Sequence, residues 1–198
     1  FAEAAKANGV RPIFGSEVIL EDETRLVLLV SNRTGYRNLS LLLANALQAS
    51  PKGEARVTIE QLKRNNRGLI ALSGTTLLEK LVSGDIEAAE ETAVKFRDLF
   101  AKGNFILELY HHKLPQHELY CEKLFALGQK LEIPVTAANM VHYCEQDDRR
   151  VQDVLTCIKH GVTLDTSDGL LYPNSERYLK PKPVMIEQFA RYPGVIER

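Results

Sequence analysis

At 198 residues and 22.3 kDa, with 44% hydrophobic and 26% charged residues, the chain has the make-up of one sizeable globular domain, or of a domain with an appendage. A net charge of −1 and a pI near 6.6 argue against a domain whose main task is to hold nucleic acid by bulk electrostatics. Three cysteines without C-x-x-C spacing argue against a disulfide framework or a zinc ribbon and fit a reducing compartment, read as cytoplasm, and no apolar run nears the roughly 18 residues of a membrane span.

The chain starts without Met inside a helical pattern, FAEAAKANG, closed by Asn8-Gly9, and reads as a fragment whose amino-terminal part is missing. RPIFGSEVIL (11–20) and RLVLLVSN (25–32) read as strands joined by the polar turn EDET, able to pair as a hairpin. Leu39, Leu42, Leu43 and Leu47 recur at helical spacing, and Thr58 with Gln61 forms a capping box before the next helix. GLIALSG (68–74) is a short buried strand, followed by two helices closed by glycine at Gly84 and Gly103. FILELYHH (105–112), a helix from about Gln116 to Glu132, and PVTAANMVHY (134–143) make a strand–helix–strand unit, with helices again over 148–161 and in PVMIEQFARY. Such alternation predicts an α/β fold with a mainly parallel sheet or a barrel, its site built where strands end in loops.

Strand parity sorts the candidates. Phe105, Leu107, Leu109 and His111 share one face of FILELYHH, and Ile106, Glu108, Tyr110 and His112 share the other. The polar face makes His112 the candidate and leaves His111 at the rim; the rival reading ends both histidines in solvent. In PVTAANMVHY the residues Met140, His142 and Cys144 share a face. In PIFGSEV the residues Ile13, Gly15 and Glu17 do so, with Gly15 expected to leave open space beneath Glu17. Glu17, His112 and His142 from separate strand ends would suit a zinc or manganese site with open positions, against the alternative of ordinary polar loop ends. Tyr143, Cys144, Cys121 and Cys157 read as packing residues, His117 and His160 as exposed helix residues, Asp165, Asp168 and Gly169 as a turn, and the basic clusters KRNNR (63–67) and RYLKPK (177–182) as solvated surface, with a phosphate-binding patch as the rival reading.

The ordered set ANGVRPIFGSEV, LVLLVSNRTGYRNLSLLL, RGLIALSG, NFILELYHHKLP, IPVTAANMVHY and QDVLTCIKHGVTLD resembles the PHP (polymerase and histidinol phosphatase) domain at the amino terminus of bacterial C-family DNA polymerases, the polymerase III alpha type. The resemblance covers nearly the whole chain. It divides it into a PHP domain over 1–161 lacking its first strands and, over 162–198, a connection toward the polymerase body. QDVLTCI with NSERYLK leans toward the error-prone branch. The resemblance implies a distorted seven-stranded β/α (TIM-like) barrel, incomplete at its amino terminus, with metals at one mouth. Glu17 falls on the family glutamate, His112 on the histidine of L-E-L-x-D-H and His142 on the histidine of D-x-H. The chain departs from the pattern at Met140, which stands for the D-x-H acid, and at Arg25, which stands for a histidine and brings a fixed positive charge.

The resemblance therefore implies a degraded site, with at best a single divalent metal, zinc or manganese, weakly bound or absent, and no catalytic residue in this stretch. The parent would be a DNA-directed DNA polymerase using magnesium, with DNA and other replication or translesion factors as partners and no membrane. A metal-dependent phosphoesterase or 3′–5′ proofreading exonuclease is the alternative.

Overall fold

The computed structural model describes residues 1–197. The chain forms two compact units: Phe1–Glu108 with Ala126–Pro134, and Leu109–Phe125 with the chain from Val135 on.

In the first unit, helix α1 (Ala2–Ala7) precedes strands β1 (Gly15–Ile19) and β2 (Arg25–Val30). They form the expected antiparallel hairpin, with Glu17 opposite Val27 and Ile19 opposite Arg25. The EDET turn closes it: the Leu20 amide donates to the Thr24 carbonyl at 2.8 Å, and Glu23 takes a left-handed φ of 61°. Helix α2 (Arg33–Ala49) is capped by Asn32, whose side chain accepts from the Gly35 amide, and buries Gly35, Asn38, Leu39, Leu42 and Ala46. Of the leucines that set its period, Leu47 is exposed instead, because the inward stripe runs through Ala46. Helix α3 (Ile59–Asn65) carries the full Thr58–Gln61 capping box.

Strand β3 (Leu69–Leu72) returns antiparallel to β2, since the α2–α3 pair brings the chain back from the far end. Helices α4 (Thr76–Ser83) and α5 (Ile86–Leu99) then make a crossover, so β4 (Phe105–Leu109) lies parallel to β3. The sheet is thus mixed rather than mainly parallel: a hairpin and an antiparallel return precede the crossover strands. Its buried face follows a period of two through Leu26 and Leu28, Leu69 and Ala71, and Phe105 and Leu107.

Helix α6 (Pro115–Leu131) has Pro at its first position and buries His117, Tyr120, Cys121, Leu124 and Leu127, one helical stripe. Strand β5 (Val135–Ala137) follows. The Leu107 amide donates to Pro134 and the Ala138 amide to Leu109, both partners advancing together as in a parallel pair. The strand order is β1-β2-β3-β4-β5. Five strands stand among the described residues, an α/β fold in which a seven-stranded barrel is not seen. In the second unit, helix α7 (Arg149–His160) ends on left-handed Gly161, and helix α8 (Lys182–Gln188) begins with Pro183 at its second position.

Candidate functional site

Strand β5 stops at Ala137, three residues before Met140, whose backbone is left-handed at φ 43°. Residues 138–143 are therefore loop, and the shared strand face expected for Met140, His142 and Cys144 does not exist. Part of the RYLKPK segment, expected to be solvated surface, takes the place of a strand partner. The His142 amide donates to the Arg177 carbonyl at 2.8 Å, the Leu179 amide to Tyr143 at 3.0 Å, and Tyr143 and Tyr178 form an isolated parallel bridge. Asn139 clamps the segment by donating to the Glu176 and Tyr178 carbonyls at 3.2 and 2.6 Å, and Asn174 reaches back to the His112 carbonyl at 2.6 Å.

His112 is buried, 2% exposed, so it does not end its strand in solvent. Its Nε2 lies 3.0 Å from the Asn139 carbonyl, which only accepts, so Nε2 carries the proton. Nδ1 is buried with no hydrogen-bond partner among the described residues. Burial pushes the imidazole down to about 4; the Asn139 carbonyl pulls it up, while Arg177, His117 and Lys180 push it further down. The ring is neutral at pH 7.

His117, expected on an exposed helix face, is 4% exposed. It sits three residues ahead of Tyr120 on the inward stripe of α6, and its Nδ1 accepts the His112 backbone N–H at 3.0 Å. Burial, then the neighbouring His111 and Arg177, hold it near 4. His111, like His112, lies beyond the end of β4 at Leu109; it is half-buried, and its carbonyl accepts from Gln188 at 2.7 Å.

His142 is exposed, its Nε2 3.1 Å from the Tyr172 hydroxyl. Burial and then Arg177 lower its pKa from the ordinary histidine value. Arg177 lays its guanidinium over the Tyr172 ring at 3.9 Å and reaches the Met140 sulfur at 3.7 Å. Lys180, in a cluster whose composition predicts solvated surface, is buried: its Nζ donates to Asn139 Oδ1 at 2.9 Å and the Glu176 carbonyl at 2.7 Å, and pairs with Glu176 Oε2 at 3.1 Å. Lys113 holds the other carboxylate oxygen at 3.0 Å. Burial raises the Glu176 carboxyl, but the two ammonium groups outweigh it and hold it below its ordinary range.

Glu17 belongs to the first unit. It is exposed and pairs with Arg25 at 3.0 Å, the diagonal neighbour one pleat along the hairpin. The space expected beneath it is filled: a Cβ on Gly15 would meet the Leu28 carbonyl and a Leu29 methyl at 2.7 Å. On the same sheet Glu108 accepts the Gly74 amide at 3.2 Å. Burial lifts its carboxyl to about 7, the Gly74 hydrogen bond pulls it down, and the Glu17 charge adds to the rise.

Glu17 is committed to Arg25 and His142 Nε2 to Tyr172, and the orphan His112 Nδ1 feels two nearby cations. Among the described residues no three His, Cys, Asp or Glu side chains converge as a metal ligand set. Asn139, Tyr172, Glu176, Arg177 and Lys180 carry no local sign in the sequence, since their partners lie up to 63 residues away.

Cys121 and Cys157 are buried, as expected, whereas Cys144 is exposed with the loop that carries it. Burial lifts the Cys121 thiol to about 12, the neighbouring Glu118 and Glu122 adding to it. No helix among the described residues is long and apolar enough to cross a membrane.

Residues 1–112 match the PHP domain family. The chain is 32% identical to DNA polymerase III subunit alpha of Treponema pallidum over 99% of its own length and 18% of that protein. It is 31% identical to the error-prone DNA polymerase of Symbiobacterium thermophilum over 100% of its own length and 20% of the relative. It is 36% identical to the error-prone DNA polymerase of Xanthomonas campestris over 91% and 16% of the two chains. The chain thus spans less than a quarter of the curated relatives it matches. With a match that covers more than half of its residues, it belongs to the PHP domain family.

Proposed function

We propose that the chain is the PHP portion of a bacterial DNA-directed DNA polymerase, of the polymerase III alpha or error-prone type, and that it serves there as a support rather than a catalyst. In this reading the five strands described are part of a seven-stranded barrel completed by residues ahead of Phe1. Residues 162–198 lead toward a polymerase body that binds DNA, uses magnesium, works in the cytoplasm and meets other replication or translesion factors. The reading is supported by likeness to polymerases that continues through the last third of the chain, past the PHP match. The support role rests on one observation: Glu17 and His142, two of the three residues on the family ligand positions, are already engaged by Arg25 and Tyr172. Glu17, His112 and His142 are the remnant ligand positions, with Met140 and Arg25 as the departures, and no tightly held metal is expected.

The test uses the full-length parent. Glu17→Gln and His142→Gln should leave primer extension within about twofold of wild type, and elemental analysis should find far less than one zinc or manganese per chain. Loss of 3′-end degradation in either variant, or near-stoichiometric metal removed together with activity, would replace this reading by the exonuclease one.

A further inference from the structure

Helix α7 turns its amphipathic character inside out. Val151, Val154, Leu155 and Ile158 recur at i, i+3, i+4 and i+7, the spacing of a stripe that a surface helix normally turns into its core. Here all four are exposed. The covered side holds Cys157 together with Arg149, Asp153 and Thr156, and it is tied down by polar contacts. Arg149 donates to the Tyr172 carbonyl at 2.8 Å and pairs with Asp153 at 3.4 Å, and the Thr156 hydroxyl donates to the Gln152 carbonyl at 2.9 Å. With about 3.6 residues per turn, Arg150 and Lys159 border the stripe, one on each flank. Both are exposed, and neither has an ion pair among the described residues.

An apolar stripe between two unpaired cations is a surface that a second amphipathic helix fits, its apolar residues laid on the stripe and its carboxylates on the flanks. Two findings point to the source of that helix. α7 lies beyond residues 1–112, the part matched by the PHP family, but inside the likeness to DNA polymerases, which runs over 99 and 100% of the chain. Those polymerases are far longer: the chain spans 18 and 20% of them. We propose that the apolar side of α7 is the docking face for an amphipathic helix of the polymerase body, in the same polypeptide and downstream of Arg198, with acidic residues bordering its own apolar stripe. The inference rests on the reading of the chain as part of a polymerase, and adds to it the element through which the support is delivered. Covering the stripe removes apolar area from water, and Arg150 and Lys159 fix the register of the incoming helix.

The test uses the full-length parent. Hydroxyl-radical footprinting should oxidise Leu155 and Ile158 about fivefold or more slowly than in the urea-unfolded protein. A photo-reactive benzoylphenylalanine placed at Val151 or at Ile158 should cross-link, within one polypeptide, to peptides downstream of Arg198, read by mass spectrometry. Arg150→Glu with Lys159→Glu should lower the cross-linking yield about fivefold or more. Oxidation at the unfolded rate overturns the docking face. So do cross-links that lead instead to residues ahead of Phe1, to a second copy or to a separate protein, and so does a yield indifferent to the charge reversal. Footprinting needs no substitution and still refutes an uncovered stripe if a cross-linker variant fails to fold. A parent that extends primers but fails these tests refutes the docking face alone, whereas a parent without primer extension refutes the polymerase reading beneath it.

Discussion

Glu108 and Lys180 are the residues where burial and charge meet most sharply. Glu108 titrates near 7 in the folded chain against an ordinary 4.5, so as pH rises the unfolded chain releases its proton first. The stability this group confers is whole below about 4.5 and is lost as pH climbs through 7. Glu108→Gln should remove that loss, on the order of 3 kcal/mol between the two limits, seen as a flatter pH profile of the urea-unfolding free energy. Lys180 has a fully buried side chain paired to one 8% exposed. Lys180→Met leaves Glu176 Oε2 and Asn139 Oδ1 without their shared ammonium and should cost about 3 kcal/mol. Adding Glu176→Gln should return a measurable part of it in a double-mutant cycle, whereas strict additivity would mean the pair is not coupled.

At the scale of elements, α7 leaves a broad apolar side uncovered. Val151, Leu155 and Ile158 line one side of it at 61, 56 and 69% exposure, and within the helix Cys157 alone is buried. Ile158→Glu should change the unfolding free energy by less than about 0.5 kcal/mol while lowering the light scattering of concentrated chain, since it alters solvent-facing apolar area rather than packing. Elements of this kind were largely legible in the sequence. The Thr58–Gln61 box, the β1–β2 hairpin and the glycine stop at Gly84 are written in residues no more than fourteen positions apart. The two-residue strand period that singled out His112 holds to the end of β4 at Leu109 and does not reach His112, where Tyr110 has already broken the alternation. The same period failed at His142, because the left-handed backbone at Met140 follows a strand already ended, and apolar Val141 kept the alternation looking intact. His117 was misplaced because a neutral imidazole can be buried as an acceptor, a pairing with a backbone amide that no spacing announces. Arg177 and Lys180 were hidden for a further reason: in RYLKPK they look like solvated charge, and only contacts with Asn139, Tyr172 and Glu176 reveal otherwise.

For the whole molecule, acid and base act on the two units in opposite directions. Glu108 makes the first unit more stable toward acid. In the second, His112 and His117 are held near 4, so below about 6.5 the unfolded chain takes up protons that the folded one refuses, and stability is lost as pH falls from there through 4. Hydrogen exchange at pH 5 and 7.5, corrected for intrinsic rates, should show amides of α6 near His117 and of residues 138–143 losing protection in acid, while those of β3 keep or gain it. Equal change everywhere would mean that the units open as one.

The path of the chain carries a consequence for inheritance. The polypeptide leaves the first unit after Glu108, returns to it after Phe125 and leaves again after Pro134, with β4 and α6 each bridging a junction. Neither unit is therefore a continuous stretch of gene. A recombination joint or a protease nick between 109 and 134 would take material from both, so the two can be exchanged between relatives only as a single cassette.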